Sequence, residues 1–219
     1  MEETFLTIIE VLGTIAFAIS GIRLAAAKNF DWFGAYVVGL VTAIGGGTLR
    51  DILLQVPVFW MLSPMYLAVT GLSLATVIIF RRALVGGMKT LFLFDAIGLA
   101  LFVVVGIEKS LAADFPMWVA VVMGIVTGSF GGVVRDILLN EEPLFFRKDI
   151  YATACLAGGV AYWLLSLLPL AAWVPQTACA AIVIGLRVAA VRYSWSLPIL
   201  KVDQRYVSGV RDAADESES

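Results

Sequence analysis

The sequence predicts an all-α polytopic membrane protein, with seven transmembrane helices arranged as two inverted three-helix repeats and a seventh helix. An apolar composition and an internal duplication support this prediction. Of the 219 residues, 61% are hydrophobic and 15% are charged, and the mean hydropathy is +0.95. Such a chain has too little polar surface to dissolve in water. Its apolar runs are continuous and not alternating, which favours helices over barrel strands.

The duplication is most visible in a glycine-rich motif. Residues 39–54 read GLVTAIGGGTLRDILL, and residues 124–139 read GIVTGSFGGVVRDILL. Arg50 aligns with Arg135, an offset of 85 positions. The same offset aligns Gly13 with Gly98, Phe17 with Phe102, Gly21 with Gly106 and Tyr66 with Tyr151.

Seven apolar segments are long enough to be spans, since a bilayer core of about 30 Å needs roughly 20 apolar residues per helix. They lie near residues 5–26, 31–49, 62–80, 91–107, 116–134, 150–170 and 174–191.

The spans divide the chain into two repeats, a further helix and a tail. Each repeat holds three spans, an odd number, so the second copy is expected to enter the membrane upside down relative to the first. The final residues, DAADESES, are polar and acidic and are expected to be disordered. The predicted units are residues 1–85, residues 86–172, the seventh helix at 173–197 and a cytoplasmic tail at 198–219.

Basic residues predict the orientation, because connections on the cytoplasmic side carry an excess of Lys and Arg. Placing the N-terminus outside and the C-terminus inside puts almost all of them in inner connections. These inner residues are Arg23, Lys28, Arg81, Arg82, Lys89, Arg147, Lys148, Arg192, Lys201, Arg205 and Arg211.

The glycines of spans 2 and 5 have two interpretations. Each costs about 1 kcal/mol of helix propensity relative to Ala, so the run Gly45–Gly47 and the pair Gly131 and Gly132 favour a break in each helix. Carbonyls freed at a break are tolerated where they line water, and they are suitable ligands for a monovalent cation. Alternatively, Thr42 with Gly46, like its repeat four residues apart in span 5, is a small-xxx-small pattern for close packing.

The charged pairs Arg50–Asp51 and Arg135–Asp136 lie near the ends of spans, where ionisable groups are expensive and usually paired. Adjacent helical residues do not face each other, so partners elsewhere are expected. The inverted symmetry favours Arg50 with Asp136, and Arg135 with Asp51. If the pairs instead lie at opposite faces, they are expected to act as interfacial latches, vestibule charges or orienting salt bridges.

Other chemistry finds little support in the sequence. There is no histidine, which removes the usual zinc ligand and proton shuttle. Cys155 and Cys179 lie inside predicted spans without CxxC spacing and are expected to be buried apolar residues. We predict no enzyme activity, no cofactor, no metal site beyond transient monovalent cations, and no nucleic-acid partner.

The two motifs GGGTLRD and GGVVRD, each followed by ILL and then by a proline and aromatic residues, resemble the duplicated motif of a bacterial membrane protein family. This is the UPF0126 or YadS/YicG-type family, prokaryotic relatives of the trimeric intracellular cation (TRIC) channels, whose domain also carries the name glycine transporter. The resemblance covers about residues 5–191. It implies a homotrimer in the inner (plasma) membrane of a bacterium or archaeon, with a pore in each protomer between the inverted repeats. Expected partners are lipid and potassium or sodium ions, mainly potassium.

The resemblance also implies roles for single residues. The glycines of spans 2 and 5 would be hinges of the pore, the Arg–Asp pairs its charged positions, and nearby hydroxyls would face a permeating ion, although such hydroxyls commonly bond their own backbone. Arginines without partners would instead suit a secondary transporter of a small zwitterionic solute such as glycine. The residues concerned are Gly45, Gly46, Gly47, Gly131 and Gly132, then Arg50, Asp51, Arg135 and Asp136, then Thr42, Thr48, Thr127 and Ser129.

Overall fold

The computed structural model describes residues 2–84 and 88–198, and within these ranges the regular structure is helical apart from one isolated bridge between Asp149 and Ser196. The predicted tail lies outside these ranges from residue 199 onward. The helices are α1 (Glu2–Ala27), α2 (Trp32–Leu54), a short 3-10 helix (Phe59–Leu62), α3 (Met65–Ile79), α4 (Arg81–Leu84), α5 (Met88–Ala112), α6 (Met117–Leu138), α7 (Ala152–Ser166) and α8 (Trp173–Tyr193).

Five of the helices in the described ranges, α1, α2, α5, α6 and α8, are long and apolar enough to cross a membrane. The third and sixth predicted spans are shorter than expected, because α3 and α7 have 15 residues each. At 1.5 Å per residue each measures roughly 22 Å, against a bilayer core of about 30 Å. The connection before α3 contains the short 3-10 helix, and the described connection before α7 has no helix.

The ends of α2 show how local sequence sets the helix boundaries. Asp31 is extended and its carboxylate accepts a hydrogen bond from the Gly34 amide at 2.6 Å, an N-cap that satisfies a free donor of the first turn. The helix stops at Gln55, which has a left-handed φ of 56°. Asn140, at the equivalent position after α6, has a φ of 53°. Both halves therefore end the motif helix in the same way.

The predicted break at the glycines is wrong. Each of α2 and α6 is one continuous helix through its glycine run. The weak helix propensity of glycine is compensated here because the bare backbone packs closely against neighbouring helices.

The core is built around α2 and α6, with α1 packed on α2 and α5 packed on α6. The glycines Gly21 and Gly106 allow these two contacts: a Cβ at Gly21 would lie 2.9 Å from the Val38 carbonyl oxygen, and one at Gly106 would lie 2.8 Å from Gly124 Cα. The equivalent rings of Phe17 and Phe102 meet between the halves, with centroids 5.3 Å apart. Helix α8 packs on α5 and α7.

Candidate functional site

Helices α2 and α6 cross at equivalent glycines. A Cβ on Gly46 would collide with the backbone carbonyl of Thr127, and a Cβ on Gly131 would collide with that of Thr42. These reciprocal contacts mean that the two helices run antiparallel. A Cβ on Gly45, by contrast, would make only ordinary contact, 3.6 Å from Gly131 Cα. The packing interpretation of the small-xxx-small pattern therefore describes the crossing.

Gly47 and Gly132, the other two candidate hinge glycines, make room for aromatic side chains that follow each motif helix. A Cβ on Gly47 would press into the ring of Phe59, and a Cβ on Gly132 would lie 2.7 Å from the hydroxyl oxygen of Tyr151. Both glycines thus pack against the start of the next segment of their own half.

The four candidate hydroxyls all donate to the carbonyl four residues earlier in their own helix, as the alternative interpretation predicts. The side-chain oxygen of Thr48 also accepts a hydrogen bond from Trp60 Nε1 at 3.0 Å. The donor–acceptor distances are 2.6 Å for Thr42, 2.7 Å for Thr48, 2.6 Å for Thr127 and 2.6 Å for Ser129.

Each arginine of the motif binds the aspartate next to it. Arg50 Nε lies 2.8 Å and Nη2 lies 2.7 Å from Asp51 Oδ1. Arg135 Nε lies 2.8 Å from Asp136 Oδ1. Both arginines are only 1% exposed, so these are buried ion pairs.

The expected pair of Arg50 with Asp136 is wrong, and so is its counterpart of Arg135 with Asp51. The antiparallel crossing places the two motifs on opposite sides of it, about 18 Å apart along the helix axes at 1.5 Å per residue. Neighbours on a helix can pair here because the arginine side chain is long enough to bring its Nε back over the next residue. The other expectation was that pairs at opposite faces act as interfacial latches, vestibule charges or orienting salt bridges. That expectation is consistent with this geometry.

The second oxygen of each aspartate fixes the connection that follows the helix. Asp51 Oδ2 accepts from the Phe59 amide at 2.9 Å, and Asp136 Oδ2 accepts from the Leu144 amide at 3.1 Å. Phe59 and Leu144 are equivalent under the offset of 85. The aspartate thus joins the guanidinium to the backbone of the next segment.

The first cluster comprises Glu10, Arg50, Asp51 and Tyr66. Glu10 lies on α1, where Tyr66 makes a side-chain hydrogen bond with it. Lys109 of α5 reaches the Glu10 carboxylate at 2.5 Å. A buried acid of the first half is thereby neutralised by a cation from the second half.

The second cluster comprises Asp95, Arg135, Asp136 and Tyr151. Arg135 Nη1 lies 2.5 Å from Asp95 Oδ1 and 2.8 Å from Ser20 Oγ. A cation from another helix, Arg187 of α8, also contacts this cluster.

Arg187 is held by several groups of the second cluster and its surroundings. Its Nη2 lies 3.8 Å from Asp95 Oδ2, and its Nη1 donates to the Ile150 carbonyl at 3.1 Å. Its guanidinium also stacks over the rings of Phe92 and Tyr151, 5.1 Å and 4.8 Å from the centroids.

The two clusters are equivalent residue by residue under the same offset of 85. Each has two carboxylates and one motif arginine, and each is completed by one cation from elsewhere, Lys109 or Arg187. The formal charge of each completed group is therefore zero. Glu10 and Asp95 were not among the predicted site residues, although their signal was present: both are acids inside apolar spans at equivalent positions.

A separate ion pair joins two connections outside the helices. Lys28 Nζ lies 2.5 Å from Glu141 Oε1. The hydrogen bond and charge of Lys28 lower the pKa of the Glu141 carboxyl below its ordinary value. The pair tethers the turn between α1 and α2 to the connection after α6.

Comparison with known proteins agrees with this architecture. The glycine transporter family model matches residues 7–82 and again residues 92–167, which begin 85 positions apart. The UPF0126 inner membrane protein YadS of Escherichia coli strain K12 is 40% identical over 205 residues, 90% of this chain and 96% of its own length. The chain belongs to the UPF0126 family. It is a multi-pass membrane protein, as the apolar helices indicate.

Solved structures place this UPF0126 protein among TRIC-type folds. The TRIC trimeric intracellular cation channel orthologue from Rhodobacter sphaeroides has a TM-score of 0.83 at 32% identity, over 88% of this chain and all of its own. A second structure, determined to explain conductance through TRIC cation channels, has a TM-score of 0.80 at 33% identity, over 90% of this chain and 98% of its own. The family prediction is confirmed.

Proposed function

We propose that this UPF0126 protein is a monovalent cation channel, permeable to potassium, with a pathway through each protomer where α2 crosses α6. The observation that carries the proposal is the likeness to TRIC cation channels at 32% and 33% identity over nearly the whole fold. The paired charge clusters on either side of the crossing support it, since ionisable groups inside a membrane mark ion or solute pathways.

The proposed architecture is a seven-span chain with inverted repeats at 1–85 and 86–172, followed by the seventh helix at 173–197 and the tail at 198–219. The antiparallel crossing of the equivalent helices α2 and α6 supports the inversion, as does the double match of the family model. The short helices α3 and α7 would complete their crossings together with the connections that Asp51 and Asp136 hold.

The proposed orientation has the N-terminus outside and the C-terminus cytoplasmic, in the inner membrane. The first cluster is then near the outer face and the second near the cytoplasmic face. Basic inner connections support this orientation. A homotrimer is proposed by analogy with the R. sphaeroides channel orthologue, which is trimeric.

The proposed gate is the α2–α6 crossing itself. Backbone contacts at Gly46 and Gly131 close it, so conduction requires the two helices to separate, with the glycines as hinges. The backbone carbonyl oxygens of Thr42 and Thr127 lie at this point, whereas their hydroxyls face Gly21 of α1 and Gly106 of α5. Carbonyl oxygens are ligands of the kind that replace an ion's hydration shell.

The charge balance explains how a cation would pass two buried arginines. An unpaired arginine beside the pathway repels cations, whereas a cluster of zero formal charge does not. Asp51 and Asp136 therefore matter for conduction because they neutralise the arginines next to them.

Potassium flux in liposomes tests the proposal, using purified protein under an imposed gradient and voltage, with and without added glycine. We expect fast flux that ignores glycine. The double variant Asp51→Asn/Asp136→Asn should lower the potassium flux about tenfold, which corresponds to a rise of about 1.4 kcal/mol in the barrier to conduction. Asp114→Asn, which removes an exposed carboxylate in a turn, is the control and should leave flux unchanged. Slow, saturable glycine exchange without potassium flux would overturn the channel and favour a carrier.

A further inference from the structure

The two charge clusters differ in how completely their polar atoms are satisfied. In the second cluster, Asp95 Oδ2, the Tyr151 hydroxyl and Arg187 Nε are buried and have no hydrogen-bond partner within the described part of the chain. Their residues are 1%, 1% and 4% exposed. In the first cluster, Arg50 Nη2 also lacks a hydrogen bond to the residues described, but it lies 2.7 Å from Asp51 Oδ1 in the ion pair. The equivalent tyrosine, Tyr66, bonds Glu10 directly.

One of the three unsatisfied atoms belongs to the Arg187 guanidinium, and the other two belong to side chains that contact it. Arg187 Nη2 is 3.8 Å from Asp95 Oδ2, and Arg187 Cζ is 4.8 Å from the centre of the Tyr151 ring. Two of the atoms offer protons and one accepts them. Buried polar groups that lack protein partners normally bind ordered water or an ion.

The charge of the group decides between water and an ion. Asp95, Asp136, Arg135 and Arg187 sum to zero formal charge, so a cation or an anion bound there would leave one uncompensated charge in a buried place, at a cost of several kcal/mol. A neutral molecule that both donates and accepts hydrogen bonds has no such cost. Water fits this chemistry.

A route from solvent to this group is also present. A cavity of about 340 Å³ opens between the connection before α7 and the end of α8, and Arg187 forms part of its wall. Its other lining residues include Lys148, Ile150, Ala190 and Ser194. Arg187 thus has its guanidinium beside the unsatisfied atoms and its side chain on the cavity.

We propose that the second cluster is a site for bound water at Asp95, Tyr151 and Arg187, filled through the α7–α8 cavity, and that Tyr66, which bonds Glu10, contacts no such water. The functional meaning rests on the proposed channel: in the closed state, water would reach from the cytoplasmic face to Arg135, and the barrier to ions would begin at the crossing.

X-ray hydroxyl-radical footprinting with mass spectrometry tests this in the full chain, reconstituted in lipid. Radicals formed from bound water modify side chains that bulk solvent does not reach. We expect Tyr151 to be modified several-fold faster than Tyr66, its buried equivalent. Equal rates for the two tyrosines, or slower modification of Tyr151, would overturn the proposal.

The route is tested with a filled cavity. Ala190→Leu places a larger side chain in the cavity wall and should lower the modification of Tyr151, whereas Ala189→Leu, one residue away and outside the cavity lining, should not. Tyr66 reports the integrity of the fold in both variants. Unchanged Tyr151 modification in Ala190→Leu would contradict entry through this cavity.

These outcomes are separable from the channel proposal. Fast Tyr151 modification in a protein without potassium flux would leave the water site standing and overturn the channel. Potassium flux with an unmodified Tyr151 would do the reverse.

Discussion

Asp51 and Asp136 each bind two groups that belong to different parts of the chain. One carboxylate oxygen accepts from the neighbouring arginine, and the other accepts from an amide eight residues later. The RD motif is therefore a structural unit that buries a guanidinium and fixes the next connection. Its second role could not be predicted from spacing, because the amide carries no side-chain signature.

Removing the charge of Asp51 and removing that of Asp136 should lower the free energy of unfolding by different amounts. Arg50 pairs with Asp51, whereas Arg135 also has Asp95. Removing one partner of a buried pair typically costs about 3–5 kcal/mol, so Asp51→Asn should lower the free energy of unfolding by this amount, and Asp136→Asn by less. Thermal unfolding in detergent measures both. An equal loss in the two variants, or a larger one in Asp136→Asn, would contradict the assigned partners.

The ion pair between Lys28 and Glu141 makes a pH-dependent contribution. Because the pKa of Glu141 is lowered in the folded chain, the contribution is present above the ordinary carboxyl pKa and is lost as the pH falls through the lowered value. The difference in Tm between the unaltered chain and Glu141→Gln should therefore be small at neutral pH and vanish in acid. High salt should also remove it, since exposed pairs are screened. A difference that persists in acid would exclude the tether.

At the scale of helices, the crossing of α2 and α6 depends on two of the five candidate hinge glycines, Gly46 and Gly131. Sequence spacing predicted this close contact through the small-xxx-small pattern, but it also predicted a helix break that the structure does not contain. Close packing and a helix break could be distinguished only with the partner helix in view. Helix propensity alone does not include the packing that stabilises a glycine-rich helix.

The loss of stability caused by adding a methyl group at the crossing should therefore depend on position. Gly46→Ala places a Cβ against the Thr127 carbonyl, which is backbone and cannot move aside easily, whereas Gly45→Ala makes ordinary contact. Overpacking of this kind costs about 1–3 kcal/mol. Gly46→Ala should lower the Tm, and Gly45→Ala should leave it nearly unchanged. If both variants unfold at the same temperature, the crossing is not where these contacts place it.

At the scale of the whole molecule, composition and duplication together predicted the helical membrane class and most helix positions, and the resemblance of the two RD motifs predicted the family. Continuous apolar runs are local patterns, so the sequence alone is enough to recognise them. The partners of Arg50 and Arg135 were not predictable in this way, because they depend on where the antiparallel crossing puts each motif. Lys109 and Arg187 had no repeat signal at all, since each serves only one of the two clusters.

The central claim is that cations pass where α2 crosses α6, and thiol modification during potassium flux tests it most directly. Thr42→Cys lies on α2 at the level of the crossing, where the carbonyl of this residue packs against Gly131 and its side chain packs against Gly21 of α1. Thr70→Cys is the matched control, because Thr70 is equally buried and also bonds the carbonyl four residues before it, but on α3. A small thiol reagent applied during flux should abolish potassium movement in Thr42→Cys and spare Thr70→Cys. Full flux in a quantitatively modified Thr42→Cys protein would contradict the claim and place the pathway elsewhere.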